Sequence, residues 1–253
     1  MILITGFPGQ DARILSVACW ELGIKACALT HRPEEVTACS AQHTRGTRRE
    51  QVHLFRSDES FGCEFKQFLL EREVRAIFHM AAVSDPTECE RSPVKAYESN
   101  VRLTQEIIRA AMDARNDIRV AFASSVYVKS TEDCRDRRIE ENATESKSCG
   151  IYIRTKRACS ELIGIYRKGG LDKCSQFFLG NHESPIRQER FIIPTLVKNI
   201  RDGGMMQEIR RPYVVRDWQD ACISLAQMAL ALARSPGVDF VVGSGSSYSI
   251  ADI

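Results

Sequence analysis

Tyr152 and Lys156 stand four residues apart in a stretch of helical pattern, so a phenol and an ammonium share one face. A cation beside a phenol favours the phenolate, which lets Tyr152 serve as acid or base nearer neutral pH than its free pKa of about 10 allows. Upstream, Ser124 and Ser125 close the apolar run 118–123 and offer two hydroxyls at the end of that run. A second chemistry is written at the N-terminus. Four apolar or β-branched residues run into Gly6, Gly9 comes next, and Ala12 stands where a helical pattern begins. Such a turn needs glycine where the backbone reverses and again where it approaches a pyrophosphate, and a small residue where helix meets strand. The amides and dipole of the helix start then form an anion site, with Gln10 and Asp11 on its rim.

These residues need a frame to position them. The pattern predicts strands at 2–5, 24–30, 52–55, 74–79 and 118–123, alternating with helices at 12–22, 59–73, 93–115 and 150–167, the third opened by Ser92-Pro93. That rhythm means an α/β fold with a doubly wound parallel sheet of the Rossmann kind. Further helices are expected at 191–201 and 217–234, the second returning to the sheet. Phe61, Phe65, Phe68 and Leu69 recur at helical spacing and read as core. Met80, Ala81 and Ala82 lie at a strand's carboxyl end, where a parallel sheet admits ligands. Arg32 ends the second strand, where a base accommodates a ribose 2′-phosphate, so NADP is preferred over NAD. Arg45, Arg48 and Arg49 fit a solvated face equally well. The polar, aperiodic stretch 129–148 reads as a loop over the site.

The bulk numbers exclude some classes. With 253 residues, 43% hydrophobic and 27% charged, the chain can bury a sizeable core. A net charge of +2 argues for neither nucleic acid nor membrane as a partner. No apolar run approaches a membrane span, no secretory signal is evident, and no metal set is expected. The ten cysteines form no C-x-x-C pair, and Cys19, Cys159 and Cys222 lie in helical patterns. They read as buried free thiols in a reducing cytoplasm.

Taken together, Thr5-Gly6-x-x-Gly9-x-x-Ala12, His79-Met80-Ala81-Ala82, Asn100, Ser124-Ser125-Val126-Tyr127 and Tyr152-x-x-x-Lys156 resemble the extended short-chain dehydrogenase/reductase (NAD-dependent epimerase/dehydratase) family over nearly the whole chain. Gly9-Gln10-Asp11, the string LGNHESPIRQER at 179–190, and Arg216-Asp217-Trp218 are similar to segments of its GDP-mannose 4,6-dehydratases. The resemblance implies an NADP-linked enzyme of nucleotide-sugar metabolism. Hydride leaves C4 while the tyrosinate takes the hydroxyl proton, water is lost across C5 and C6, and hydride returns to C6. It makes Tyr152 the base, with Lys156 lowering its pKa and holding the ribose. Asp58, Leu179, Asn181 and His182 would join the glycine turn around the cofactor. Ser84, Asn181, Arg187 and Arg216 would meet the substrate, the two arginines clamping its diphosphate. It also implies a homodimer or homotetramer built on the helices at 93–115 and 152–167. The stripe Val101, Ile108, Met112, Ile163 and Tyr166 fits that, and fits packing on the sheet equally.

The sequence departs from the dehydratase pattern in three places. Where those enzymes carry Thr-Ser-Glu, counting back from Tyr127 gives Ala123, Ser124 and Ser125, so the glutamate that performs the elimination is missing. Glu140, Glu141 and Glu145 are possible substitutes. Arg56 stands where an acidic residue near the adenine is expected, with Asp58 two residues late. The chain also stops at Ile253, so residues 1–178 read as a dinucleotide-binding domain and 179–253 as a small, truncated substrate-binding part. Three functions fit: a dehydratase, a reductase or epimerase needing only hydride transfer at C4, and a degenerate module that binds dinucleotide or nucleotide sugar.

Overall fold

Leu3 and Ile4, both wholly buried, lie on the interior strand β1 (Ile2–Thr5) of a seven-stranded sheet. In the computed structural model, which describes residues 1–30, 52–54 (backbone only), 61–115, 117–129, 150–203 and 212–252, every pairing in this sheet is parallel. The other strands are β2 (Ala26–Thr30), β3 (Val52–Leu54), β4 (Ala76–His79), β5 (Arg119–Ser125), β6 (Cys174–Leu179) and β9 (Phe240–Val242). Their order is β3-β2-β1-β4-β5-β6-β9, so the winding reverses between β3 and β4. The carboxyl ends of β1 and β4 therefore flank the crevice at which such sheets take their ligands. A second, three-stranded sheet joins β7 (Asn181–Glu183), β8 (Val215–Asp220) and β10 (Ser247–Ser249).

The helices are α1 (Gln10–Glu21), α2 (Phe61–Glu71), α3 (Pro86–Arg91), α4 (Pro93–Tyr97), α5 (Leu103–Ala114), α6 (Ile151–Lys168), α7 (Ile192–Arg201) and α8 (Ala221–Arg234). Alternation along the strands divides the core between the two faces. Leu3, Ile77, Val120 and Phe122 pack with α2, α5 and α6, whereas Ile4, Phe78, Ala121 and Ala123 pack with α1 and α8. Phe61, Phe65 and Leu69 are core residues, as the helical spacing requires, and Phe68 is partly buried against them.

Several boundaries differ from the sequence reading. A separate helix, α3, precedes Ser92-Pro93; Asp85 caps it by accepting from the Thr87 and Glu88 amides, with Pro86 in its first turn. Ser92 makes no side-chain cap for α4, and a π-helical segment, Glu98–Arg102, interrupts the long helix. The helix expected to begin at Asp217 begins at Ala221, because 215–220 is drawn into strand pairing and Asp220 caps α8. Val101, Ile108 and Ile163 lie in the core, so that stripe packs on the sheet. Cys222 is exposed, unlike Cys19 and Cys159. Among the described residues no helix is long and apolar enough to cross a membrane.

Candidate active site at the carboxyl ends of β1, β4 and β5

Gly6 adopts φ +90°, and the Gly9 amide donates to its carbonyl at 2.8 Å, closing the turn between β1 and α1. Gly9 is the N-cap of α1 and supplies no side chain to it, which leaves the first-turn amides available to an anion. Ala12 is buried beneath the turn. Across from Gly6 runs the chain of Met80, Ala81 and Ala82, and the Ala81 amide donates to Thr5 Oγ1 at 3.2 Å. This glycine cradle with uncapped amides suits a dinucleotide pyrophosphate. Arg32, Asp58, Glu140, Glu141 and Glu145 lie outside the described residues.

A buried hydrogen-bond relay fixes this turn to the tyrosine helix. Thr104 donates to the Asn100 carbonyl at 2.5 Å, so its oxygen accepts from His79 Nε2, 2.9 Å away, leaving Nδ1 to accept from Thr5 at 2.7 Å. Burial and then the nearby Lys156 charge hold the His79 pKa down to about 3, so the ring is neutral. Asn100, inside the π-helical segment, bonds both polar atoms of Val83 and donates to Thr155 on α6 at 3.0 Å. A π-turn inserted into a helix often serves a functional site, and here it aims Asn100 at the loop after β4.

Tyr152 and Lys156 meet the end of β5. Lys156 is 5% exposed, and its ammonium donates to the Ala123 carbonyl at 2.7 Å. Burial pushes the Tyr152 phenol up to about 12, with Ser125 as the hydrogen-bonding group that works in the opposite direction. Burial is the largest influence on this phenol, and Lys156, expected to depress its pKa, is not among the groups that shift it. Of the two serines, Ser125 reaches Tyr152, while Ser124 Oγ is buried with no hydrogen-bond partner among the described residues.

Residues 179–187 cross over the glycine turn from the other side. Leu179 ends β6, buried. His182 bonds the Gly180 carbonyl through Nδ1 at 2.8 Å and both Asp11 oxygens through Nε2 at 3.1 and 3.2 Å. Ser184 donates to Gln10 at 2.8 Å, and Gln10 to Asp11 at 3.0 Å. Tyr127 donates to Asn181 at 3.2 Å, and Arg216 lies 5.3 Å from the Tyr127 ring. Arg187 stacks on Phe191 at 3.7 Å, 3.8 Å from Glu183. The structure thus joins Gln10, Asp11, His182 and Ser184 in one set of contacts, Tyr127, Asn181 and Arg216 in a second, and Arg187, Glu183 and Phe191 in a third, while Tyr152 meets Ser125. Ser84 is exposed before α3. Sequence reasoning missed Glu183 and the relay through His79 and Thr104. Glu183 could have been found from strand alternation two residues beyond Asn181, whereas the relay depends on tertiary contacts.

Burial alone would raise the Asp11 pKa, but His182 outweighs it and holds the carboxyl below the usual range. Burial would likewise lower His182, and Asp11 outweighs it in the other direction. Asp11 contributes stability above its unfolded pKa of about 4 and loses it as pH falls through the lower folded value. His182 contributes fully below its unfolded pKa of about 6.5 and loses it as pH rises through the higher folded value. Asp11→Asn is therefore expected to cost about 1.5–3 kcal/mol between roughly pH 4 and 6.5, and less towards pH 9. Thermal unfolding of both proteins across pH checks this, and a loss independent of pH would assign the effect to packing.

Such a glycine turn, with Tyr152 and Lys156 beside the sheet's carboxyl edge, defines a dinucleotide-dependent α/β enzyme. The chain belongs to the NAD dependent epimerase/dehydratase family, whose model matches residues 2–243. It is 24% identical to GDP-mannose 4,6 dehydratase 2 of Caenorhabditis elegans over 98% of this chain and 67% of that protein. It is 21% identical to the GDP-mannose 4,6 dehydratase of Drosophila melanogaster over 98% of this chain and 65% of that one. A third relative, GDP-mannose 4,6-dehydratase sdnI of Sordaria araneosa, is 25% identical, and the chain spans 46% of its length. Among solved structures, the UDP-N-acetylglucosamine 4-epimerase of Methanobrevibacter ruminantium matches with a TM-score of 0.78 at 16% identity, covering 99% of this chain and 78% of that one. A dTDP-glucose 4,6-dehydratase double mutant of Streptomyces venezuelae, with NAD bound, matches at 0.76 and 20%, covering 99% and 78%.

Proposed function

We propose that the chain is an NADP-linked nucleotide-sugar enzyme of the GDP-mannose 4,6-dehydratase type, with residues 1–178 binding the dinucleotide and 179–253 contributing to the sugar-nucleotide site. The observation that carries this reading is the anchoring of the 179–187 segment over the glycine turn through His182 and Asp11. Asn181 in the same segment bonds Tyr127, and Arg187 follows it. A bound nicotinamide supplies a hydride acceptor. The first-turn amides of α1 hold the pyrophosphate, Ser125 and Tyr152 orient the C4 hydroxyl, and Tyr152 removes its proton. Lys156 fixes the ribose and, once drawn from the Ala123 carbonyl, favours the phenolate. Arg187 and Arg216 grip the diphosphate. The reading includes a cytoplasmic homodimer or homotetramer.

Incubating the purified chain with GDP-mannose and oxidised NADP, followed by mass spectrometry, tests this: loss of one water is expected. Ser125, standing where the eliminating glutamate is expected, favours a second reading as a 4-reductase or epimerase. Nicotinamide reduction or sugar inversion without water loss would select it. Binding without either would leave the degenerate binding module. Arg32 supports NADP, and Arg32→Asp is expected to shift preference to NAD by tenfold or more, about 1.4 kcal/mol, in a binding titration of both cofactors. A wild type that already prefers NAD would refute that assignment.

A further inference from the structure

Strand β7 is held against the glycine turn by side chains. It is the half-buried edge strand of the small sheet and pairs with β8 rather than with the main sheet. Gln10 on α1 accepts from Ser184 and donates to the His182 carbonyl at 3.4 Å, while His182 Nε2 meets both Asp11 oxygens. This geometry fixes the charge of the ring. Nδ1 faces the Gly180 carbonyl and Nε2 faces a carboxylate, and a carbonyl and an ionised carboxylate can only accept, so both nitrogens carry protons and His182 is an imidazolium. At 13% and 20% exposure the ion pair is little screened by water. Asp11 stands in the first turn of α1, among the amides that suit a pyrophosphate. Left alone, its carboxylate would set a like charge beside the phosphates; paired with His182, it leaves the helix start free to attract them.

We infer that His182 is a positioning residue, a charge latch that makes the dinucleotide and the sugar nucleotide bind cooperatively. The inference rests on the sugar-nucleotide reading of the 179–187 segment. Phosphates at the glycine turn favour the arrangement in which the Asp11 charge is cancelled, and hence the one in which β7 lies over α1. That arrangement holds Asn181 against Tyr127 and carries Arg187 on the chain that follows, the residues assigned to the sugar nucleotide. Each ligand therefore strengthens the other by the same factor. Among the described residues, the charged groups that act on the pair are Arg187, Glu183 beside His182 on β7, and Lys156 on α6, which acts on Asp11. Gln219, opposite His182 on β8, carries no charge, and Asp220, opposite Glu183, caps α8. Burial works to lower the His182 pKa, but Asp11 and the Gly180 carbonyl outweigh it, so the latch opens as pH rises through a value above the ordinary one.

The test titrates the full chain by calorimetry at about pH 6, below the ordinary histidine pKa, with oxidised NADP and with GDP, each alone and with the other saturating. In the wild type NADP is expected to tighten GDP binding about tenfold, and GDP to tighten NADP equally. His182→Gln keeps an amide that can reach Asp11 but no charge; it should weaken NADP binding about tenfold and abolish the coupling. In an Asp11→Asn background, where no carboxylate faces the phosphates, His182→Gln should leave NADP affinity unchanged. A merely structural contact would weaken binding in both backgrounds. The wild-type coupling should fade as pH rises through the His182 pKa, a measurement that needs no variant and decides the matter if one fails to fold. Equal losses from His182→Gln in the two backgrounds overturn the latch, as do wild-type affinities that are independent of each other. A wild type that binds NADP but no GDP removes the sugar-nucleotide reading and the coupling with it; one that binds neither removes the dinucleotide site as well.

Discussion

Tyr152→Phe is expected to slow nicotinamide reduction by about a thousandfold, with cofactor affinity falling far less. In the proposed reaction the phenol is the group on α6 that accepts the C4 hydroxyl proton, and its hydrogen-bonding neighbour, Ser125, is a weak base. Burial holds the phenol up at about 12 before ligands arrive, so the wild-type reduction rate should climb with pH until the phenol, favoured as phenolate by Lys156 in the complex, is ionised. The phenylalanine variant should lose that slope. Pre-steady-state reduction at several pH values measures both effects. A variant that keeps half the wild-type rate, or keeps the slope, would move the proton acceptor elsewhere.

Gly6→Ala should be the most damaging single change at the cofactor turn. At φ +90° an L side chain is strained, and its added Cβ would lie 2.7 Å from the Ala81 nitrogen and 2.8 Å from the Met80 carbonyl carbon. Both contacts are backbone, so neither can swing aside. The strain of a left-handed residue, about 1–2 kcal/mol, and the overpacking, about 1–3 kcal/mol, together predict a loss of roughly 2–5 kcal/mol. Urea unfolding measures it, and a cofactor titration should show weakened binding, because β1 and β4 can no longer approach at their carboxyl ends. Stability within 1 kcal/mol of wild type would contradict the close approach.

The alternation of strands and helices, the aromatic core of α2, the glycine turn and the place of Tyr152 and Lys156 four apart on one helix could be read from residue order, since each depends on local spacing. The features that escaped depend on distant partners. The stretch Arg216-Asp217-Trp218 is polar and reads as a helix start, yet β7 and β10 supply the hydrogen bonds that make it a strand. Helix α3 is six residues long, too short to carry an apolar period. The spacing of Tyr152 and Lys156 was legible; the burial that sets the phenol's pKa was not. Counting from Tyr127 located the two serines without revealing which one bonds Tyr152. The string around His182 stood out, but its grip on Asp11 spans 171 residues of chain.

The relay from Thr5 through His79, Thr104 and Asn100 to Thr155 has a thermodynamic consequence. It joins the first strand, the fourth strand, the long interrupted helix and the tyrosine helix by buried polar bonds, none of which can be broken cheaply without water to replace it. The glycine turn and the helix that carries Tyr152 are therefore expected to open as a single unit of local unfolding. Amide hydrogen exchange should then show the two opening together, and on the proposed function damage to either end of the relay is expected to erode ligand binding and chemistry in step.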